Sequence, residues 1–486
     1  MDMTVELGAD RWRGKLYSGG WTAGTPYTLH EPGSGIELGE FAQGGAAEID
    51  AAAAAAKAAQ PAWARSPLAG RAAVFRDAAS FLERNREPIT EWIVRETGSI
   101  PPKAGFELTV AIGELHEAAA MVTQPRGIVL PSDPGTTSLA RRIPHGVVGV
   151  ISPFNFPLIL SIRAVAPALA TGNAVVLKPD PQTPVTGGFL IARAFEAAGL
   201  PEGLLHVVPG GAEAGQALVV SPDVNMIAFT GSTEVGRRIG ALAGERLKKV
   251  SLELGGKNAL IVLDDADVDL AVSNAAWGSF LHQGQICMAA GRHLVHRDVA
   301  KRFIEKLAEK ASHLPVGDPF REQVALGPLI NRKQVDRVVG IVDASIAQGA
   351  GLRAGGKPNG LFYPATVLDG VAPGMPAFEE EIFGPVAPVT VFDDDADAIR
   401  LANMTEYGLS AGIITSNVAR GLEIAEQLRT GLVHVNDQTV ADDPVVPFGG
   451  SGASGNGSRV GGPANWDEFT QWQWTTVKAQ APRYPF

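Results

Sequence analysis

The sequence of 486 residues predicts an α/β protein with two doubly wound parallel sheets and a small additional β arm. Short apolar runs that read as buried strands alternate with helix-patterned segments over residues 146–254, and the alternation resumes over residues 300–436. Strands separated by helices of this length are typical of parallel sheets. The chain also exceeds the size of one ordinary core, so more than one domain is expected.

The composition fits a globular enzyme and argues against several other classes of protein. The 41 basic and 52 acidic residues give a net charge of −11, and no basic cluster is present. We therefore expect no nucleic-acid partner and no binding to an anionic membrane. No run approaches about 18 apolar residues, so no transmembrane helix is predicted. Residues 1–10 have no apolar core, and we expect no signal peptide.

Residues 1–122 and 145–254 are predicted to form a dinucleotide-binding domain. Aromatic residues between Gly and Pro over residues 12–45 indicate short strands. Helical periodicity follows and then strands alternate with helices. The predicted helices are 49–59, 68–84, 87–97, 105–122, 186–198, 211–220 and 232–242, and the predicted strands are 146–151, 173–178, 203–208, 226–229 and 249–254.

Residues 255–463 are predicted to form a catalytic α/β domain, and residues 123–144 with 464–486 an oligomerisation arm. Alternating apolar and polar residues indicate arm strands over 138–143 and 469–477. A terminal strand of this kind often pairs with a partner subunit, so a homodimer or homotetramer is expected. In the catalytic domain we predict a helix from Asp267 to a break at Gly284, further helices at 300–312, 331–348, 396–404 and 419–428, and strands at 387–392, 410–415 and 431–436.

Cys287 is the only cysteine of the chain and is our candidate nucleophile. Without a second cysteine no intrachain disulfide can form, and a reducing, cytoplasmic location is expected. The residue follows Gly284, so it is predicted to lie in a turn with a free backbone N–H, which would lower the thiol pKa and bind an anion. The alternative is a small buried hydrophobic residue.

Five motifs occur in a fixed order along the chain. They are Ser-Pro-Phe-Asn-Phe-Pro at 152–157, Phe-Thr-Gly-Ser-Thr-Glu-Val-Gly at 229–236, Leu-Glu-Leu-Gly-Gly-Lys at 252–257, Gly-Gln-Ile-Cys at 284–287 and Glu-Glu-Ile-Phe-Gly-Pro-Val at 380–386. Together they resemble the aldehyde dehydrogenase superfamily over essentially the whole chain.

This resemblance implies roles for three catalytic residues. Cys287 would attack the aldehyde carbon, and the Asn155 side-chain amide with the Cys287 backbone N–H would hold the oxyanion. Glu253 would activate the water that hydrolyses the thioester. The alternative for Asn155 is an ordinary turn residue. The alternative for Glu253, which lies between two leucines in a strand, is a solvated carboxylate.

The resemblance also implies a bound dinucleotide. The 231–236 loop follows a strand and opens a helix, although it lacks the G-x-G-x-x-G pattern. Pro181 stands where the family often has a ribose-binding Glu, so we expect NAD with NADP as a second coenzyme. The candidate residues are Ser152, Phe154 (Trp in many members), Lys178 at the adenine-side ribose, Gly231, Ser232, Gly236, Glu381 at the nicotinamide ribose and Phe383 beside the ring. Alternatives for the last two are a capping carboxylate and a core phenylalanine.

Within the family the chain looks most similar to bacterial benzaldehyde and vanillin dehydrogenases. The segments 178–184, 287–293 and 447–458 carry this finer resemblance. Arg163 shares a helix face with Ile159, and it is expected either to contact a polar ring substituent or to point to solvent. The residues expected to bind substrate are Phe156, Ile159, Arg163, Ile286 and Met288.

The sequence therefore predicts NAD(P)-dependent oxidation of an aromatic aldehyde to the acid, through a thiohemiacetal and a thioester on Cys287. No metal site is predicted. The alternatives are a member that passes the acyl group to coenzyme A, a member that prefers aliphatic aldehydes, and a non-catalytic nucleotide-binding homologue. Glu253 argues against coenzyme A transfer, because such an enzyme needs no base to activate water.

Overall fold

The computed structural model describes Leu7 and residues 9–486. The start of the predicted first domain, and most of the segment expected to lack a signal peptide, fall at residues 1–6 and 8 and lie outside the described residues. Among the helices that are described, none combines the length and the apolar character needed to cross a membrane.

The chain up to Glu253 forms strands and helices close to the predicted ones. The strands are β1 Lys15–Ser18, β2 Trp21–Ala23, β3 Thr25–His30, β4 Glu37–Gln43, β5 Gly127–Leu130, β6 Thr136–Pro144, β7 Val147–Ile151, β8 Ala174–Lys178, β9 Leu205–Val207, β10 Met226–Thr230 and β11 Lys249–Glu253. The helices are α1 Ala46–Ala64, α2 Leu68–Arg84, α3 Arg86–Thr97, α4 Pro101–Met121, α5 Pro157–Ala170, α6 Leu190–Ala197, α7 Ala212–Val220 and α8 Thr233–Gly244. A π-helical turn, Val185–Phe189, precedes α6.

The first sheet has the strand order β11-β10-β7-β8-β9-β1-β2. Strands β11, β10, β7, β8 and β9 are parallel, whereas β1 and β2 add antiparallel strands at one side. The order reverses at β7, because β8 lies on one side of it and β10 on the other. Ligands of open α/β sheets bind at such a reversal, outside the carboxyl ends of the strands.

The chain beyond Glu253 builds a second sheet of order β14-β15-β16-β13-β12-β18-β19, which confirms the predicted fold class. Only β14 is antiparallel to its neighbour, and β12, β13, β14 and β15 were not predicted. The strands are β12 Asn258–Val262, β13 Ala290–His296, β14 Gly351–Ala354, β15 Thr366–Asp369, β16 Val386–Phe392, β17 Tyr407–Gly408, β18 Ser410–Ile414, β19 Leu432–Val435 and β20 Ser451–Gly452. The helices are α9 Val268–Phe280, α10 Arg297–Ser312, α11 Arg332–Ala347, α12 Pro376–Glu379, α13 Asp395–Asn403, α14 Val418–Ala425 and α15 Ala464–Phe469.

The central strand β12 is buried on both faces. Ala259 and Ile261 belong to one hydrophobic cluster, and Leu260 and Val262 belong to another. Successive side chains of a strand point to opposite faces, so the two clusters lie on the two sides of the sheet. A continuous apolar strand of this kind is expected where helices cover a parallel sheet on both faces.

A three-stranded antiparallel sheet of order β21-β6-β5 forms the arm, where β21 is Thr470–Lys478. The pairing of β21 with β6 runs from Thr470 opposite Pro144 to Lys478 opposite Thr136. One edge of β21 is therefore paired within the chain, and pairing of its other edge with a partner subunit stays a prediction. The division into domains at 122, 144, 254 and 463 stays a proposal.

Candidate active site

Three candidate segments lie at one edge of the first sheet. Strand β7 ends at Ile151, β10 at Thr230 and β11 at Glu253, and these strands are parallel neighbours. Because the carboxyl ends of parallel strands share one edge, the 152–157 turn, the 231–236 loop and the Glu253 side chain lie at the same edge.

Cys287 follows a left-handed turn. Helix α9 ends at Phe280, so the predicted helix end at Gly284 is wrong. The backbone then takes positive φ at His282 (49°), Gln283 (55°) and Gly284 (67°). Residues with a Cβ rarely adopt this conformation, and surrounding structure must hold them in it. Both His282 and Gln283 are fully buried, which provides that restraint.

Asn155 contacts the loop that carries Cys287. Its Nδ2 donates a hydrogen bond to the carbonyl oxygen of Gln285 over 2.9 Å. From the other side, Asn258 Nδ2 donates to the carbonyl oxygen of Cys287 over 2.8 Å. The amide of Asn155 has a second hydrogen that can be given to a ligand. The structure thus brings Asn155 and the Cys287 loop together.

Glu253 is buried, with 7% of its surface exposed, and its carboxylate oxygens have no hydrogen-bond partner among the described residues. The alternative of a solvated strand carboxylate is therefore wrong. The edge of β11 is covered by residues 454–456, since Glu253 bridges Gly455 and Leu252 N donates to Asn456 Oδ1 over 3.1 Å. Burial raises the pKa of Glu253 well above its ordinary value, as is expected for a buried carboxylate without donors.

The thiol of Cys287 does not have the lowered pKa that its turn predicts. Burial, and then the nearby carboxylates of Glu381 and Glu253, raise the pKa of Cys287 to about 12. The positive charge of Arg163 opposes this rise without cancelling it. A thiol in such surroundings reacts as a nucleophile only when a base removes its proton.

The loop after β10 has the local structure of a phosphate-binding helix start. A Cβ at Gly231 would lie 2.5 Å from the Phe229 ring, and a Cβ at Gly236 would collide with Leu254. Both glycines therefore allow close packing between α8 and its neighbours. Ser232 caps α8 by accepting a hydrogen bond from Val235 N over 3.4 Å. The free N–H groups of the first helical turn and the helix dipole fit a pyrophosphate.

Lys178 and Ser152 lie at the ends of β8 and β7. Lys178 Nζ donates to the carbonyl oxygens of Gly210 over 2.6 Å and Pro179 over 3.3 Å. Burial lowers the pKa of this lysine. Ser152 N donates to the carbonyl oxygen of Lys178 over 3.2 Å, and its hydroxyl accepts from Ser161 over 2.7 Å. These bonds fix the two strand ends where the resemblance expects the ribose.

Glu381 and Phe383 lie between α12 and β16 and contact the segments that follow β11 and β7. Glu381 Oε1 accepts a hydrogen bond from Gly256 N over 3.0 Å, and burial raises the pKa of this carboxyl to about 7. Phe383 has a φ of 56° and packs edge to face against Phe154, with ring centres 6.0 Å apart. The two residues thus lie beside Gly256 and the turn after β7, in reach of one ligand.

Arg163 is buried and paired, so the alternative that it points to solvent is wrong. Its guanidinium forms ion pairs with Glu114, over 3.3 Å, and with Asp442. It also lies over the ring of Phe448, 4.6 Å from the ring centre. The other four substrate candidates are likewise buried; they are Phe156, Ile159, Ile286 and Met288.

Sequence reasoning missed several charged residues behind the site. Glu114 and Asp442 hold Arg163, and Lys103 and Glu107 contact the Asn155 turn. The one available signal was the spacing of Lys103, Glu107 and Glu114, which are four and seven positions apart and share the buried face of α4. Nothing local distinguishes Asp442 from the acidic residue that follows it.

Comparison with known proteins agrees with this arrangement. The family model described as "Aldehyde dehydrogenase family" matches residues 21–475. A vanillin dehydrogenase of Amycolatopsis sp. is 54% identical over 483 residues, 99% of each chain. A benzaldehyde dehydrogenase (NAD(+)) of Pseudomonas putida is 54% identical over 478 residues, 98% of each chain.

A solved structure gives the same result at the level of the fold. The crystal structure of a salicylaldehyde dehydrogenase from Pseudomonas putida G7, complexed with salicylaldehyde, superposes with a TM-score of 0.94 at 35% identity and covers 98% of this chain and 100% of that chain. The family model spans both sheets except strand β1, and it covers the arm strand β6 and every candidate residue. The chain therefore belongs to the aldehyde dehydrogenase family.

Proposed function

We propose that the enzyme oxidises aromatic aldehydes to carboxylic acids, with NAD as the preferred coenzyme and NADP as a second one. The observation that carries the proposal is the buried, unpaired carboxylate of Glu253 at the sheet edge that also presents Asn155 and receives the Cys287 loop. The vanillin and benzaldehyde dehydrogenases, at 54% identity, support the aromatic class of substrate.

In the first step Cys287 loses its proton to a nearby base and its sulfur adds to the aldehyde carbon. The carbonyl oxygen becomes an oxyanion, which accepts hydrogen bonds from the second hydrogen of the Asn155 amide and from the Cys287 backbone N–H. Donors fixed before the reaction stabilise the adduct most, and Asn155 is fixed by Gln285. Loss of one such donor costs about 2.7–4 kcal/mol in comparable sites.

The residues that would hold the coenzyme are Gly231, Ser232 and Gly236 at the pyrophosphate, Lys178 at one ribose and Glu381 at the other, with Ser152, Phe154 and Phe383 around them. When bound, NAD supplies the acceptor for the hydride that leaves the adduct. The close packing at the two glycines and the cap on α8 are the observations of this structure that fit the group.

Glu253 completes the reaction by taking a proton from the water that attacks the Cys287 thioester. The acid leaves, and the sulfur regains a proton. A raised pKa suits this role, because such a carboxylate holds a proton more firmly than an exposed one. A member that transfers the acyl group to coenzyme A has no use for this base, so Glu253 favours hydrolysis.

We propose that four buried apolar side chains and the ion-paired Arg163 bind the substrate. Phe156, Ile159, Ile286 and Met288 provide buried apolar surface for an aromatic ring. Arg163 keeps donors beyond those bound by Glu114 and Asp442, since a guanidinium has five N–H groups, and we propose that it contacts a polar ring substituent.

Two further properties belong to the proposal. The enzyme works as a homodimer or homotetramer through the arm, and it resides in the cytoplasm, where a reducing environment keeps its only thiol free. The apolar residues exposed on β21 support the first statement, and the need for free Cys287 supports the second.

The test is a panel of benzaldehyde, vanillin and an aliphatic aldehyde with NAD or NADP, followed by the absorbance of the reduced coenzyme and by product analysis. We expect the free acid without added coenzyme A, and aromatic substrates preferred in kcat/KM by about tenfold or more, as an apolar pocket can provide. Cys287→Ala is the control that should bind coenzyme and lack turnover. A strict requirement for coenzyme A, or no turnover of any aldehyde, would overturn the proposal.

A further inference from the structure

The turn that presents Asn155 is not stabilised by its own sequence. Helix α5 begins at Pro157, and its N-cap residue Phe156 provides no side-chain hydrogen bond. The first turn of a helix leaves backbone N–H groups without partners, and a buried one must find an acceptor elsewhere. That acceptor comes from helix α4, which precedes the turn by more than thirty residues.

Lys103 and Glu107 on α4 hold both sides of the turn. Glu107 Oε1 accepts a hydrogen bond from Leu158 N over 2.8 Å, and its Oε2 pairs with Lys103 Nζ over 2.5 Å. Lys103 Nζ also donates to the carbonyl oxygen of Asn155 over 2.8 Å. Lys103 and Glu107 thus connect the backbone of Asn155 with that of Leu158, and these two side chains are here called the α4 clamp.

The clamp also contacts the ring of Phe156, which lies between Asn155 and Leu158 in the chain. The Lys103 ammonium lies over the Phe156 ring, 4.1 Å from its centre. The His282 ring packs edge-on against the same phenylalanine, with ring centres 5.6 Å apart. His282 belongs to the left-handed turn before Cys287, so Phe156 links the clamp to the second segment that would supply an oxyanion donor.

Stability alone does not explain this ion pair. Both side chains are fully buried, and moving two charges out of water costs more than their attraction often returns. Replacement of such a pair by apolar residues of similar volume is commonly neutral or stabilising. A pair that brings little stability but makes three directed contacts to one turn is suited to fixing geometry.

We propose that Lys103 and Glu107 are positioning residues, which set the direction of the Asn155 amide toward Cys287. The inference rests on the proposed function, because it needs Asn155 as an oxyanion donor. A donor displaced by about 1 Å can cost about a hundredfold in rate. The clamp should therefore affect kcat and leave substrate and coenzyme affinity nearly unchanged.

The test compares two clamp variants with a surface control. The apolar pair Lys103→Met/Glu107→Leu should keep the fold with a lower Tm, because Leu158 N and the Asn155 carbonyl oxygen lose their partners. It should lower the rate of the first hydride transfer about a hundredfold and leave the coenzyme Kd unchanged. Glu107→Gln retains an oxygen acceptor for Leu158 N and should lose only about tenfold. The control is Arg332→Met/Asp336→Leu, which removes an exposed pair with the same spacing (2.8 Å) and should behave as wild type.

A double-mutant cycle with Asn155→Ala shows whether the clamp acts through that amide. If it does, adding the apolar pair to Asn155→Ala changes the rate by no more than about twofold, within the usual error of additivity. If the rate losses of the apolar pair and of Asn155→Ala multiply, or if the apolar pair has the wild-type rate, the positioning role of Lys103 and Glu107 is refuted. The proposed function is not affected by either result. A wild-type rate in Asn155→Ala itself would overturn both, and Cys287→Ala then tests the rest of the mechanism separately.

Discussion

Crowding of acidic groups sets the chemistry at the scale of single residues. Cys287, Glu253 and Glu381 lie close enough that the negative charge of each carboxylate raises the pKa of the thiol, in addition to the effect of burial. The positive charge of Arg163 opposes these effects and lowers the pKa of both Cys287 and Glu253. Proton transfer from the thiol is therefore tuned by an arginine whose own position depends on Glu114 and Asp442.

The pH dependence of turnover should reveal this tuning. Glu253 must be unprotonated to activate water, so kcat should rise with pH through a midpoint well above the ordinary range for carboxyl groups. The charge of Glu468 raises the pKa of Glu253 and that of Arg459 lowers it. Glu468→Gln should thus move the midpoint of the kcat profile to lower pH, and Arg459→Gln to higher pH. Shifts in the same direction would contradict the role of Glu253.

Glu253→Gln should separate the two half-reactions. Hydride transfer should still occur once per site, because the neutral amide removes only the base of the hydrolysis step, and the thioester should then persist. Rapid mixing should show a burst of reduced coenzyme followed by stalled turnover. If the burst also disappears, Glu253 is needed to deprotonate Cys287 as well.

At the scale of elements, the periodic segments were the predictable ones. Helix α2 has the predicted bounds, Leu68–Arg84, because its apolar residues repeat on one buried face. Strand β13 was missed because Arg292 and His293 do not resemble strand residues in sequence. Both are buried, and Arg292 donates to the carbonyl oxygen of Lys257, just before β12, and to those of Leu401 and Ala402 in α13, which only the tertiary structure brings together.

The candidate site divides in the same way. Cys287, Asn155 and Glu253 occur within motifs, so sequence alone could single them out. The contacts of the supporting charges could not be predicted, because Lys103 is 52 positions from Asn155 and Asp442 is 279 positions from Arg163. No local pattern encodes contacts over such distances, and burial of the two partners becomes known only from the packed fold.

Coenzyme choice belongs to the turn after β8. Pro181 cannot repel a 2′-phosphate, its carbonyl oxygen accepts from Tyr27 over 2.8 Å, and Asp180 is engaged with Gln182 N over 2.9 Å. We therefore expect use of both coenzymes, with NAD preferred by at most about a hundredfold in kcat/KM, about 2.7 kcal/mol. Pro181→Glu should sharpen that preference, and the neutral Pro181→Gln should not. Rejection of NADP by the native enzyme, or equal ratios in both variants, would refute this view.

At the scale of the whole molecule, the arm leaves apolar surface uncovered. Trp474 on β21 and Val129 on β5 are 72% and 78% exposed, and both strands are edges of the arm sheet. Large exposed apolar side chains on a sheet edge usually mark an interface between proteins. These exposed side chains support the proposal that copies of this chain associate through the arm.

A charge placed on this surface should break the assembly. Trp474→Glu should lower the mass measured by light scattering to that of a smaller assembly, because burying the carboxylate without a partner is unfavourable. Gln471→Glu, on the opposite face of the same strand, is the matched control and should keep the native mass. A native mass for both variants would remove the arm from the interface.

The contact of residues 454–456 with the edge of β11 has a consequence for the synthesis of the enzyme on the ribosome. Leu252 is joined to Asn456, 204 positions later, and Leu254 N donates to the carbonyl oxygen of Ser454 over 2.9 Å. The outer edge of β11, the strand that carries Glu253, can therefore be covered only after the whole second sheet has been synthesised. Before that point the nascent chain contains Cys287 and Glu253, but it lacks the enclosure in which the two residues act together. We therefore expect turnover of aldehydes only from chains whose translation has nearly finished.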